Sequence, residues 1–321
     1  MKWTVPLAMT LMAIAMPFNE TWAQKYPDKA LHMLIPIGVG GDTDILARVI
    51  SDALSKQLGQ PVVAENRVGG AGMVAASAVA NSPADGYTLM FANTSLFISP
   101  FLNRNVSFDA QTAFVPLATV GRTPWKLMTN ADFPAKNLSE FIAEVRAAPG
   151  KYFYSSGGSG TTSHLTFEII KKAAILDIRH VPYRGGGDGN LAVLRNEVQM
   201  TLTGIAWPRN NPGKVRVIAT TGDTRNTEEA DVPTLKEGGI NVSAYVWMGV
   251  VASAKTPRPI VDRLNRAIND LIRSPGINTI ISRKMDYEIS LETPEQIGAF
   301  MTSEFAKWGA AVKLAGIKST D

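Results

Sequence analysis

Two short runs carry residues whose types and spacing suit chemistry. Gly40-Gly41-Asp42-Thr43 and Gly158-Ser159-Gly160-Thr161 each follow a strand-like stretch and open a helical one. A strand that ends in glycines and turns into a helix leaves several backbone N–H groups without an intrahelical acceptor. The helix dipole adds partial positive charge there, so an anion fits. Thr43, Ser159, Thr161 and Thr162 add hydroxyl donors. A charge-assisted hydrogen bond contributes ~1.5–3 kcal/mol net, so a few from each turn would hold a carboxylate. For either run alone, ordinary N-capping by Asp42 or Thr43, or by Ser159 or Thr161, is the simpler account. Two runs of one design, at the same end of two similar halves, favour an anion site. Asp42 and Asp44 oppose an anion if they face it. Asp44 is expected to point into the first helical turn and brace the loop.

Other chemistries find no support. Gly38-Val39-Gly40-Gly41-Asp42-Thr43 lacks the third glycine of a dinucleotide fingerprint, and no Lys-Ser or Lys-Thr follows any glycine loop. Gly157-Gly158-Ser159-Gly160-Thr161 departs from the nucleophile-elbow pattern at its fifth position. There is no cysteine, which excludes thiolate nucleophiles, disulfides and Cys-zinc sites. His32, His164 and His180 are the three histidines, and no two stand at metal-ligand spacing. His164 and Glu168 lie one helical turn apart, which is more often a surface or cap contact than a zinc site. His164 is also near enough to the Gly158 turn to touch a ligand. Trp125, Trp207 and Trp247 are core packing by base rate, with an aromatic ligand wall as the alternative. The sequence therefore predicts no catalytic residue, metal or cofactor.

The elements that must position these turns alternate. A buried-type strand over 31–37 leads into the first turn and a helix from Asp42 or Thr43, with Leu46, Val49, Ile50, Ala53 and Leu54 at helical spacing and Gly59 as its stop. Strands follow at 62–67 and 88–93, with an Ala-rich helix at 73–80 between them. The pattern returns with a strand at 152–156, a helix at 161–175, a strand at 179–183, a glycine turn at 185–189, and strands at 199–203 and 215–221. Such alternation gives βαβ units around parallel-type sheets flanked by helices. From Thr256 the chain reads as helical throughout. The predicted fold is a two-lobed α/β (Venus flytrap) arrangement, with residues 24–125 and 248–321 in one lobe and 126–247 in the other. Crossovers are expected near 125–130 and 245–253. Ligands of such sheets sit beyond the carboxyl ends of the strands and between domains. That location adds Thr94, Ser95 and Tyr183, which stand at or just past strand ends.

The chain has 321 residues, enough for two ordinary domains. Hydrophobic residues make up 45% and charged residues 19%, a balance that excludes a disordered chain. The net charge of +4 is spread among acidic residues with no basic stripe, which argues against nucleic acid. Lys2, the uncharged apolar run 3–18 and the small residue Ala23 read as a secretory signal peptide over 1–23, cleaved after Ala23. The run is shorter than the ~20 residues that span a bilayer, so a soluble, periplasmic mature protein is expected.

Pro36-Ile37-Gly38-Val39-Gly40-Gly41-Asp42-Thr43-Asp44, followed by Leu46-Ala47-Arg48, resembles the opening motif of Bug-type extracytoplasmic receptors. These are the substrate-binding subunits of tripartite tricarboxylate transporters. Further matches run in order through Val62–Arg67, Gly69–Gly72, Pro83–Leu89, Ser156–Leu165, His180–Gly185 and Asp231–Thr234. The resemblance implies a fold that closes on a small carboxylate gripped by the two glycine turns. By match, Gly40, Gly41, Thr43 and Asp44, then Gly158, Ser159, Gly160, Thr161 and His164, would hold it. It also implies a two-subunit membrane permease as partner, and a monomer is expected. A ligand-presenting sensory subunit and a periplasmic hydrolase are the alternatives.

The sequence departs from the family after Met200. Thr203 stands where relatives commonly carry an acidic residue, and a shortened loop brings Trp207 behind it. Burying an ammonium needs an acidic or carbonyl partner. The expectation is thus a dicarboxylate or an aromatic acid, with Trp207 packed on its carbon frame.

Overall fold

The computed structural model describes residues 26–103, 106–204, 206–226 and 229–315, and the expected leader over 1–23 lies outside them. The elements begin with β1 (Leu31–Ile35), α1 (Asp42–Leu58), β2 (Val62–Asn66), α2 (Met73–Ala80), β3 (Thr88–Asn93), α3 (Ser95–Ile98) and β4 (Phe114–Pro124). They continue with β5 (Lys126–Asn130), α4 (Leu138–Ala147), β6 (Phe153–Ser156), α5 (Thr162–Ala174), β7 (Arg179–Pro182), α6 (Gly186–Leu194), β8 (Met200–Thr203), α7 (Ala206–Asn210) and β9 (Val215–Thr220). The chain then adds β10 (Tyr245–Ser253), α8 (Arg258–Arg273), α9 (Pro275–Thr279) and α10 (Pro294–Ala315).

The central strands of the first sheet are apolar on both faces because both faces are covered. Leu31, Met33 and Ile35 of β1, with Leu89 and Phe91 of β3, face a core closed by α1 and α8. Leu34, Met90 and Ala92 alternate to the opposite face, against α2 and α10. In the second sheet Leu127, Tyr154, Met200 and Leu202 pack with α4 and α5. Met128 faces the other way, against Ala192 and Val193 of α6.

The strand orders are β2-β1-β3-β10-β4 and β7-β6-β8-β5-β9. Both sheets are mixed, which corrects the parallel-type expectation. β10 runs antiparallel to β3 and β4, and β5 runs antiparallel to β8 and β9. Apolar patterning carries no strand direction, so periodicity was blind to this. The segments expected as crossovers are themselves strands, and the chain passes from β4 to β5 through Trp125. The C-terminal part is not helical throughout either. Asp286 has a left-handed φ of 56°, and Glu288 forms a bridge with Arg122 of β4. This non-helical stretch, between Met285 and Pro294, buries Tyr287. No helix among the described residues is long and apolar enough to cross a membrane.

Candidate functional site

Asp44 fixes the first glycine turn. Its carboxylate accepts the Gly40 N–H at 3.1 Å, Arg48 Nε at 3.1 Å and Asn66 Nδ2 at 2.8 Å. Burial alone would raise its pKa, but these bonds prevail and hold it below the ordinary value. The Asp44 side chain is thereby engaged behind the turn. Asp42, two residues earlier, stands on the other side.

The second turn depends on glycine at two places, since Gly158 and Gly160 have φ of 124° and 80°. Thr161 Oγ1 donates to the Gly158 carbonyl at 2.7 Å, and the Gly160 N–H donates to His164 Nδ1 at 3.1 Å. His164 stacks on His180 at 4.1 Å, His180 on Tyr154 at 4.9 Å, and Tyr154 on Phe167 at 3.8 Å. His180 Nε2 lies 2.6 Å from Ser156 Oγ. Burial, then the neighbouring His164, pushes His180 down to about 4, and burial lowers His164 as well. The histidines thus brace the turn as neutral rings.

A third glycine turn, Gly185–Gly187, opens α6 and meets the first across the gap between the sheets. A β-carbon on Gly187 would lie 3.3 Å from the Gly40 carbonyl, and one on Gly38 would lie 3.3 Å from the Arg184 carbonyl. Glycine lets the two backbones approach this closely without crowding a β-carbon.

Between the sheets lies a cavity of about 90 Å³. A water molecule needs roughly 10–15 Å³ of such space, so the cavity suits a small organic molecule. The first sheet's side contributes Gly41, Asp42, Thr43, Asn93 and Ser95. The second contributes Gly157, the start of α5, Gly185–Gly187, Asn190, Thr203, Gly204 and Trp207; Trp125, Tyr287 and the apolar Ile37, Leu202, Val246 and Met248 complete the wall. Asn93 Nδ2 donates to Thr43 Oγ1 at 3.1 Å and Asn190 Nδ2 to Thr203 Oγ1 at 2.9 Å. Each hydroxyl keeps its own proton to donate. Ser95 and Thr162 approach across the gap, Oγ to Oγ1, at 3.3 Å.

Of the residues singled out in the sequence, Gly41, Asp42, Thr43, Ser95, Trp125, Thr161, Thr162, Thr203 and Trp207 line this cavity. Gly40, Asp44, Gly158, Gly160 and His164 stand behind it and shape the turns, and Ser159 is exposed at a turn tip. Thr94 Oγ1 is occupied by the Trp247 N–H at 2.7 Å. Tyr183, just past edge strand β7, packs against the Met128–Ala192 cluster and lines a separate surface depression with Pro182, Arg184 and Asp188. Sequence reading missed Asn93, Asn190, Gly185–Gly187 and Tyr287 as wall residues. Gly185–Gly187 had a usable signal, the same strand–glycine–helix form as the other two turns. Tyr287 had none, since a long-range bridge places it.

Two helix-flanked mixed sheets with a cavity between them define a periplasmic-binding-protein fold. The periplasmic binding protein BugD superposes with a TM-score of 0.86 at 26% identity, over 92% of this chain and 100% of its own. An adipate-bound protein of R. palustris gives 0.86 at 29% identity, over 91% and 99%. MatC of Rhodopseudomonas palustris with bound malate gives 0.83 at 26%, over 89% and 100%. Residues 46–317 match the model of the tripartite tricarboxylate transporter family receptor, and the chain belongs to that family of periplasmic solute-binding receptors.

Proposed function

We propose that the chain is exported, captures a small carboxylate in this cavity between lobe 24–125 with 248–321 and lobe 126–247, and delivers it to a two-subunit membrane permease without chemical change. The observation that carries this reading is the concentration of donors. Thr43 and Thr203 hold hydroxyl protons free for an acceptor, and the first residues of α1, α5 and α6 all line the wall, where unpaired helix N–H groups favour an anion. Relatives with bound adipate and malate support a small organic acid. The apolar leader with Ala23 at its end supports export to the periplasm.

Trp125 and Trp207 lie in the wall, so ligand entry should change tryptophan fluorescence. Titration with malate, succinate, adipate, aspartate and benzoate should give a saturable change for at least one acid. That change should weaken when Thr161→Val and Thr203→Val are combined. A response to none of them, or one indifferent to the two substitutions, would refute the reading.

A further inference from the structure

We propose that Asp42 is the counter-charge for a cationic nitrogen on the ligand, so that the preferred carboxylate also bears an ammonium group. This rests on the carboxylate-receptor reading and narrows its substrate class. Asp42 stands on the cavity wall and, among the described residues, makes no hydrogen bond or ion pair. Its near neighbour Asp44 is fully engaged, so the two acidic residues of one helical turn have different tasks. The lining residues include no Lys, Arg or His. A dicarboxylate would therefore bring a second negative charge beside Asp42 with no side-chain cation to offset it. An acid with an ammonium places one charge on the donor-rich turns and the other on Asp42.

A second observation points the same way. Tyr287 lines the cavity and is 2% exposed, and its hydroxyl has no hydrogen-bond partner among the described residues. Trp125 Nε1, also in the wall, is likewise buried without a partner. The Tyr287 oxygen can accept from an ammonium, whereas Trp125 Nε1 can only donate, to the ligand's carboxylate. Desolvation lifts the Asp42 carboxyl to about 6, the direction expected of a carboxylate held without a cation. Thr203 had suggested a ligand lacking an ammonium because no acid stands there. Asp42 supplies that acid from a different element.

Calorimetry with matched acids tests this on the mature chain: aspartate with succinate, glutamate with glutarate, alanine with propanoate, and 4-aminobutanoate with butanoate. At least one ammonium-bearing acid should bind ~100-fold tighter than its partner. Asp42→Asn should remove most of that preference while the protein still melts cooperatively, with Asp42→Ser as the second variant if the amide disturbs packing. Tighter binding of the acids without nitrogen, or a preference that survives both substitutions, overturns the proposal and leaves the carboxylate reading intact. Binding of no acid in either set overturns both.

Discussion

The carboxyl group of Asp42 rests against the backbone of Gly204, so closely that a β-carbon on residue 204 would overlap Oδ2. Asp42 begins α1, which packs on the first sheet, and Gly204 directly follows β8 of the second. One contact therefore joins the two walls of the cavity. Gly204→Ala should destabilise the ligand-free protein by about 1–3 kcal/mol through overpacking. In an Asp42→Ala background the same substitution should be nearly neutral. A double-mutant cycle in urea checks this, and additive costs would show that the contact is not the cause.

The raised pKa of Asp42 has a definite sign. A carboxyl whose folded value is about 6 binds its proton more tightly in the folded than in the unfolded state. The associated stability is present below pH 4 and is lost as pH rises through 6. Asp42→Asn should therefore stabilise the ligand-free protein at pH 7.5, by about 1–2 kcal/mol once partial solvent contact is allowed for. It should change little at pH 4. Urea titrations at the two pH values decide it, and an equal effect at both would contradict the assignment.

His180 acts in the opposite direction over the same window. With a folded pKa near 4, held down by burial and by His164, it favours the folded state fully above pH 6.5. That contribution falls by about 2–3 kcal/mol as pH drops from 6.5 through 4. His180→Phe keeps a ring between Tyr154 and His164 and removes the titration. Its stability should vary less with pH across that range than the wild type's, and an unchanged slope would exclude His180 as the source.

Lys126 is 1% exposed and pairs with Glu229 and, at 3.9 Å, with Asp286. Asn226 Nδ2 also donates to both Asp286 oxygens, at 2.9 and 2.8 Å. Burial lowers the lysine's pKa and raises that of Asp286. The cluster ties β5 of the second sheet to the stretch that carries Tyr287. Lys126→Met leaves two carboxylates short of a cation and should cost about 3–5 kcal/mol. Urea denaturation measures it, and a loss below about 1 kcal/mol would mean that Arg209 alone neutralises the pair.

Much of the architecture was legible because it is local. Gly59 ends α1 in a left-handed cap, and the two apolar faces of β3 alternate as a covered strand must. The glycine turns were readable for the same reason, since positive φ at Gly158 and Gly160 is a property of the residue. Which side chains reach the cavity was less readable. Asp42 and Asp44 are chemically alike in sequence, and only the partners Gly40, Arg48 and Asn66 show which one is engaged. Strand direction in β10 and the arrival of Tyr287 depend on contacts far apart in the chain. No local pattern records them.

A small carboxylate held by donors from both sheets at once should bind less well when either wall loses a hydroxyl. Calorimetry with the tightest acid, on Thr43→Val and Thr203→Val, tests it most directly, because the two hydroxyls stand on opposite walls. Each substitution removes one hydrogen bond to a charged group, worth ~1.5–3 kcal/mol, so each should weaken binding by about 10- to 150-fold. Wild-type affinity in both folded variants would place the ligand elsewhere and rule out a grip shared by the two sheets.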